Sequence, residues 1–177
     1  LHDEALFKDP PPPEECPICF VPLPLDATQT MFKSCCGKLI CYGCIHAMTE
    51  EARGRGGEIG LCAFCREPTA FSDADSVKRT KRLMEANNAY AFCELAGYYA
   101  VGDGVPQDWS KANELYLTAG ELGCAKAYCN LANCYMSGRG VEMDKKKAKY
   151  FWEIAAMNGS IQARHNLGCD EYEAGNE

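Results

Sequence analysis

The stretch AYAFCELAGYYAVGDGVPQD, residues 89–108, returns 36 positions later as AKAYCNLANCYMSGRGVEMD, residues 125–144. Within it Tyr99 matches Tyr135, Gly102 matches Gly138, Gly104 matches Gly140, Val105 matches Val141 and Asp108 matches Asp144. The spacing holds downstream through Lys111 and Lys147, Ala112 and Ala148, Ala119 and Ala155, and Gly123 and Gly159. Two positions reach a third copy: Ala91, Ala127 and Ala163, and Leu95, Leu131 and Leu167. A fixed period of about 20 to 50 residues is the mark of a solenoid, whose units bury their apolar faces only against their neighbours.

Each unit reads as two helices. Ala127, Leu131 and Tyr135 lie at helical spacing in the first. The segment G-x-G-V-x-x-D then breaks it, with Gly102 and Gly104 supplying the left-handed backbone a tight turn needs. Asp108 and Asp144 stand as N-caps of the second helix. That helix runs through Ala112, Leu115 and Ala119 in one copy and Ala148, Trp152 and Ala155 in the next, the alanines allowing close packing. In the third copy Glu173-Ala174-Gly175-Asn176 replaces the longer glycine turn and no second helix follows. A solenoid ending there exposes an apolar edge, so further repeats or a frayed last helix are expected.

Upstream the composition changes. Eight of the 13 cysteines fall between Cys16 and Cys65, in the pairs Cys16 and Cys19, Cys35 and Cys36, Cys41 and Cys44, and Cys62 and Cys65. Three of these are C-x-x-C, a spacing whose tight turn brings both sulfurs to one metal. Structural zinc takes four soft or borderline ligands in a tetrahedron, so eight thiolates supply two closed sites. Closed sites leave no position for a substrate, which makes the ions structural. Disulfides are the competing reading. With no charged-then-apolar leader over residues 1–9, a reducing compartment, cytoplasmic or nuclear, is the expectation, and dense cysteine there reads as metal binding. The remaining cysteines, Cys93, Cys124, Cys129, Cys134 and Cys169, lack metal spacing and read as small buried apolar groups. Trp109 and Trp152 read as core.

With 47% apolar residues and a net charge of −7, the chain reads as folded rather than disordered. The acidic balance argues against nucleic acid as a partner, since that affinity comes largely from Lys and Arg on phosphates. No apolar run is long enough to cross a membrane. Residues 1–14 form a tail ending in Pro10-Pro11-Pro12-Pro13, an extended spacer. Residues 15–70 hold the cysteines, with Gly54, Gly56, Gly57 and Gly60 marking a loop. Residues 71–87 read as a linker helix capped by Ser72 and Asp75, with Val77, Leu83 and Met84 inward and Lys78, Arg79, Lys81 and Arg82 in water. Residues 88–177 are the repeats.

Two resemblances follow from these motifs. The pattern A-x-A-x-x-x-L-A-x-x-Y-x-x-G-x-G-V, complete in two copies, resembles the Sel-one-like repeat, a relative of the tetratricopeptide repeat. Cys16-Pro17-Ile18-Cys19, Cys35-Cys36-Gly37-Lys38-Leu39-Ile40-Cys41-Tyr42-Gly43-Cys44 and Cys62-Ala63-Phe64-Cys65-Arg66 resemble a RING finger. Where common RINGs have C-G-H, this chain has Cys36-Gly37-Lys38, which resembles the all-cysteine subclass; His46 is the fallback ligand. The fold implied is a small zinc-stabilised α+β RING domain followed by an all-α helical-repeat solenoid.

The RING resemblance implies a cross-brace, with Cys16, Cys19, Cys41 and Cys44 on one zinc and Cys35, Cys36, Cys62 and Cys65 on the other. It implies a ubiquitin ligase with no covalent catalytic residue, which binds a ubiquitin-conjugating enzyme charged with ubiquitin and holds the thioester for lysine attack. Ile18, Arg66 and Pro68 match the family's partner-binding surface, although Ile18 also suits a packing role in the metal loop. Ala63 stands where many members have Pro. The repeats would recruit a substrate or adaptor protein. The alternative is a non-catalytic interaction scaffold that keeps the zinc fold. Metal removal is expected to unfold residues 16–65 and spare the repeats.

Overall fold

The computed structural model describes residues 11–12, 14–24, 29–54, 60–70 and 72–175. Pro10 and Pro13 of the proline run, and Gly56 and Gly57 of the glycine-rich loop, lie outside the described residues.

The cysteine-rich part contains one hairpin and one helix among the described residues. Strands β1 (Thr30–Lys33) and β2 (Lys38–Cys41) pair antiparallel, with Met31 opposite Ile40 and Lys33 opposite Lys38. The adjacent pair Cys35-Cys36 occupies the turn between them, closed by bonds from the Cys36 and Gly37 N–H groups to the Lys33 carbonyl. Gly37 there has φ +69, in the left-handed region where a Cβ is disfavoured. β2 runs directly into helix α1 (Tyr42–Gly54), so Cys41 and Cys44 straddle the strand–helix junction. The core of this part is small: Cys16, Ile40 and Cys62, each fully buried.

Six helices follow among the described residues: α2 (Asp73–Glu85), α3 (Ala89–Val101), α4 (Trp109–Glu121), α5 (Ala125–Ser137), α6 (Lys145–Met157) and α7 (Ile161–Ala174). They stack in chain order as a solenoid, and the closest pairs, α3 with α4 and α5 with α6, are the two helices of one unit. The caps fall where the sequence puts them. Asp108 accepts from the Lys111 N–H and Asp144 from the Lys147 N–H, each at 3.0 Å. Gly102 and Gly138 end α3 and α5 at φ +94 and +68. The core between helices is largely alanine; Ala91, Ala112, Ala119, Ala127, Ala148 and Ala155 are fully buried.

Three residues depart from expectation. Arg79 does not simply face water: it is half-buried, pairs with Asp75 at 3.1 Å and donates to the Pro68 carbonyl at 2.5 Å. Trp109 is only half-buried, with the Arg139 guanidinium over its ring. Cys169 is exposed, unlike buried Cys93, Cys124, Cys129 and Cys134. The reason is its register: 36 positions earlier stands Asn133, itself exposed.

Candidate metal centre

Two of the C-x-x-C pairs sit in turns with the same backbone pattern. At Cys16–Cys19 the Phe20 N–H bonds back to the Cys16 carbonyl at 2.9 Å, and the Cys16 N–H bonds to the Val21 carbonyl. At Cys62–Cys65 the Arg66 N–H bonds to the Cys62 carbonyl at 3.0 Å, and the Cys62 N–H bonds to the Glu67 carbonyl. The residue after each pair, Phe20 or Arg66, takes a positive φ of 57 or 64. Isolated bridges clamp both bases, Glu15 with Pro22 and Leu61 with Pro68. The two turns are one device used twice, 46 positions apart. Each aims two sulfurs and several backbone N–H groups at a common point.

The sulfurs converge into two groups, Cys16, Cys19, Cys41 and Cys44, and Cys35, Cys36, Cys62 and Cys65, with all ligand atoms of a group within 4.8 Å of one another. Across the first group Cys16 lies 3.8 Å from Cys44, and Cys19 lies 3.8 Å from Cys41. Across the second, Cys36 lies 3.9 Å from Cys62, and Cys65 lies 3.5 Å from Cys35. A disulfide needs about 2.05 Å, so these are free thiols. Four sulfurs bound tetrahedrally at about 2.3 Å would stand about 3.8 Å apart. Each group therefore has the geometry to hold one metal ion. His46 lies exposed on α1, outside both groups.

The thiols of each group differ in acidity. Burial works against the Cys16 thiolate, but the N–H groups of Cys19, Cys41 and Ile18 outweigh it and bring the pKa down to about 6. Burial likewise opposes the Cys62 thiolate, and the N–H groups of Cys65 and Phe64 bring it down to about 7. Burial pushes Cys36 up to about 11, and raises Cys35 and Cys44 further, with neighbouring sulfurs adding to the effect. Cys16 and Cys62 are thus the ready thiolates of the two groups, and Cys35, Cys36 and Cys44 must release protons to a metal.

The three residues matched to a partner surface are not equivalent. Ile18 is half-buried and packs on the Cys16–Ile40–Cys62 core. Arg66 is exposed and lines a shallow groove of about 50 Å³ with Ala63 and Leu61, walled by Ile45, Met48 and Ala52. Pro68 is exposed, and its carbonyl is taken by Arg79. A second, larger groove of about 360 Å³ opens on the solenoid between α5, α6 and α7, lined by Asn133, Met136, Lys145, Asn166, Asp170 and Glu173 among others. Its base is ordered by the Trp152 indole N–H, which donates to Asn133 Oδ1 at 3.0 Å. The contacts of two residues near the metal groups escaped the sequence reading. The residues are Arg79 and Asn88, whose side-chain amide donates to the Gly37 carbonyl at 3.2 Å.

A family model for the Sel1 repeat matches residues 87–124 and 125–160. Among solved structures, a Sel1 repeat protein from Oxalobacter formigenes is 28% identical, with a TM-score of 0.53 over 56% of this chain and 39% of its own. The protein c5321, described as a protective antigen of uropathogenic Escherichia coli displaying an SLR fold, is 28% identical, with a TM-score of 0.57 over 61% of this chain and 23% of its own. Helicobacter pylori cysteine rich protein B shares the fold at 21% identity, with a TM-score of 0.53 over 71% of this chain and 81% of its own. The chain thus spans well under half the length of the first two. The helical part is a solenoid built on Sel1 repeats.

Proposed function

We propose that this chain is a protein-interaction scaffold, in which a module held together by two structural zinc ions is fused to a Sel1 solenoid that binds a protein partner. The observation that carries it is the convergence of eight thiols into two four-sulfur groups at tetrahedral spacing, set beside repeats whose stacked helices leave an open groove between α5, α6 and α7. The chemistry of the donors fits zinc: all-thiolate, tetrahedral sets favour it over hard cations. When bound, zinc supplies no reaction here; it fixes the hairpin turn, the two C-x-x-C turns and the start of α1. A reducing compartment, cytoplasmic or nuclear, keeps the thiols available.

Elemental analysis of the purified chain tests the metal part. About two zinc ions per chain are expected, falling to one or fewer in Cys16→Ser or Cys62→Ser. A chain with intact helical circular dichroism and no zinc would overturn it.

One observation favours a finer reading, an all-cysteine RING that docks a charged ubiquitin-conjugating enzyme. Arg66 stands free at the rim of the groove beside α1, where its five-donor fork can bridge two carbonyl-bearing surfaces. Chain formation with ubiquitin, activating enzyme and a panel of conjugating enzymes separates the two. Ubiquitin chains that disappear in Arg66→Ala at unchanged zinc content establish the ligase. No chains with any member leave the scaffold.

A further inference from the structure

We infer that the cysteine module is the N-terminal cap of the solenoid: α2 is the second helix of a half-unit, and the module lies where that unit's first helix would pack. The 36-residue register extends upstream of the repeats that the sequence displays. Asp73 and Ala74 of α2 stand 36 positions before Trp109 and Ser110 of α4. A Cβ on Gly104 would come within 2.7 Å of Asp73, and one on Gly140 within 2.5 Å of Trp109, so each glycine turn seats on the helix start of the unit before it. Asn87, Gly123 and Gly159 hold the same left-handed position, at φ +53, +98 and +90. Asn88, Cys124 and Ser160 follow as the N-caps of α3, α5 and α7.

The face of α2 changes character within this register. Fully buried Ala112 and Ala148 correspond to Ser76, and fully buried Ala119 and Ala155 to Leu83. Leu115 and Phe151, packed against the core, correspond to Arg79. Leu83 and Arg79 meet the module, while Ser76 turns to Tyr98 of α3. The hairpin turn covers Leu83, where a Cβ on Gly37 would lie 3.3 Å from its methyl and 2.6 Å from the Asn88 amide. Arg79 binds the Pro68 carbonyl beyond the last cysteine pair, and Asn88 binds the Gly37 carbonyl beside Cys36. The Tyr90 hydroxyl of α3, its pKa raised first by burial, also feels the Glu14 carboxylate from the segment before Cys16. A terminal helix of a repeat array needs a polar outer face or a cover, and α2 has both.

The inference rests in part on the proposed zinc sites, because Gly37 and Pro68 are placed by the chain around Cys35, Cys36, Cys62 and Cys65. It replaces the expectation that metal removal spares the repeats. Hydrogen exchange of the full chain tests it. Stripping zinc with a chelator, zinc loss being verified, should speed exchange in α2 and α3 about tenfold and leave α5 and α6 nearly unchanged.

The double variant Arg79→Leu/Asn88→Ser carries residue types found at those positions in other units, Leu115 and Ser160, so its helices retain their packing and cap. With zinc bound it should already exchange faster in α2 and α3, and chelation should add little. Unchanged exchange of α2 and α3 in the stripped wild type overturns the cap. If the wild type never carries zinc, the metal reading fails instead and the double variant alone decides: faster exchange supports the cap, unchanged exchange overturns it.

Discussion

Cys16 and Cys62 each open a C-x-x-C turn, and in each the backbone N–H groups of that turn, the Cys19 N–H first for Cys16 and the Cys65 N–H first for Cys62, hold the thiolate against the cost of burial. Wherever these turns keep their shape, pKa values of about 6 and 7 leave both thiols ready for metal near neutral pH. Protons compete with the metal for a thiolate, so affinity must fall as pH drops. It should fall more steeply once the solution passes from 7 toward 6 and these two anchors also protonate. Calorimetric zinc titrations in buffers of different ionisation enthalpy should record proton release at pH 7.5, contributed by Cys35, Cys36 and Cys44, whose pKa values are raised. More protons should be released per ion at pH 6. A proton count that stays flat between those values would contradict the assignment of the anchors. Arg66 belongs to the same scale: its positive φ is a demand of the turn, shared with Phe20, while its side chain remains free for a partner.

Among the elements, the caps and glycine turns were legible because the backbone itself restricts residue type there. Left-handed Gly102 and Gly138 and the carboxylate caps Asp108 and Asp144 stand where the repeated G-x-G-V-x-x-D puts them. Asp144→Ala should cost about 1 kcal/mol of stability, while Asp144→Asn stays within a few tenths, read as shifts in a denaturant midpoint. Gly140→Ala should cost more, roughly 1–3 kcal/mol, because the turn is left-handed and the added methyl would meet the Trp109 backbone. The thiol groupings were also legible, as pairs, from the short spacings. What stayed hidden were contacts between distant residues of mixed type. Asn88 reaches Gly37 across 51 positions, and no spacing rule connects them. The half-unit α2 was hidden for a different reason. Its identities to the repeats were exchanged for Ser76, Arg79 and Leu83, of which Arg79 and Leu83 fit it to the module.

At the scale of the whole molecule, no helix among the described residues is long and apolar enough to cross a membrane. Two kinds of stabilisation meet along the solenoid axis. The repeats rest on alanine-lined helix packing that propagates from neighbour to neighbour. Among the described residues the core of the cysteine module has three fully buried residues, Cys16, Ile40 and Cys62, and under the proposed zinc reading the module draws the rest of its stability from the ions.

The order of the four thiol pairs along the chain has a further consequence. The pair at 35–36 belongs to one group but lies inside the segment from 16 to 44 that the other group closes, and the pair at 41–44 lies inside the segment from 35 to 65. Neither group can form from a continuous local stretch, and closing either one gathers half of the other. The first ion therefore also orders the shared core around Ile40 and gathers one ligand pair of the second site, so the second ion meets a chain already partly folded. Zinc added to the stripped chain should be taken up in one steep step, with singly loaded molecules scarce in native mass spectra at half saturation. Seen this way the module is a clasp whose two fastenings are threaded through each other, so that it is either shut or open.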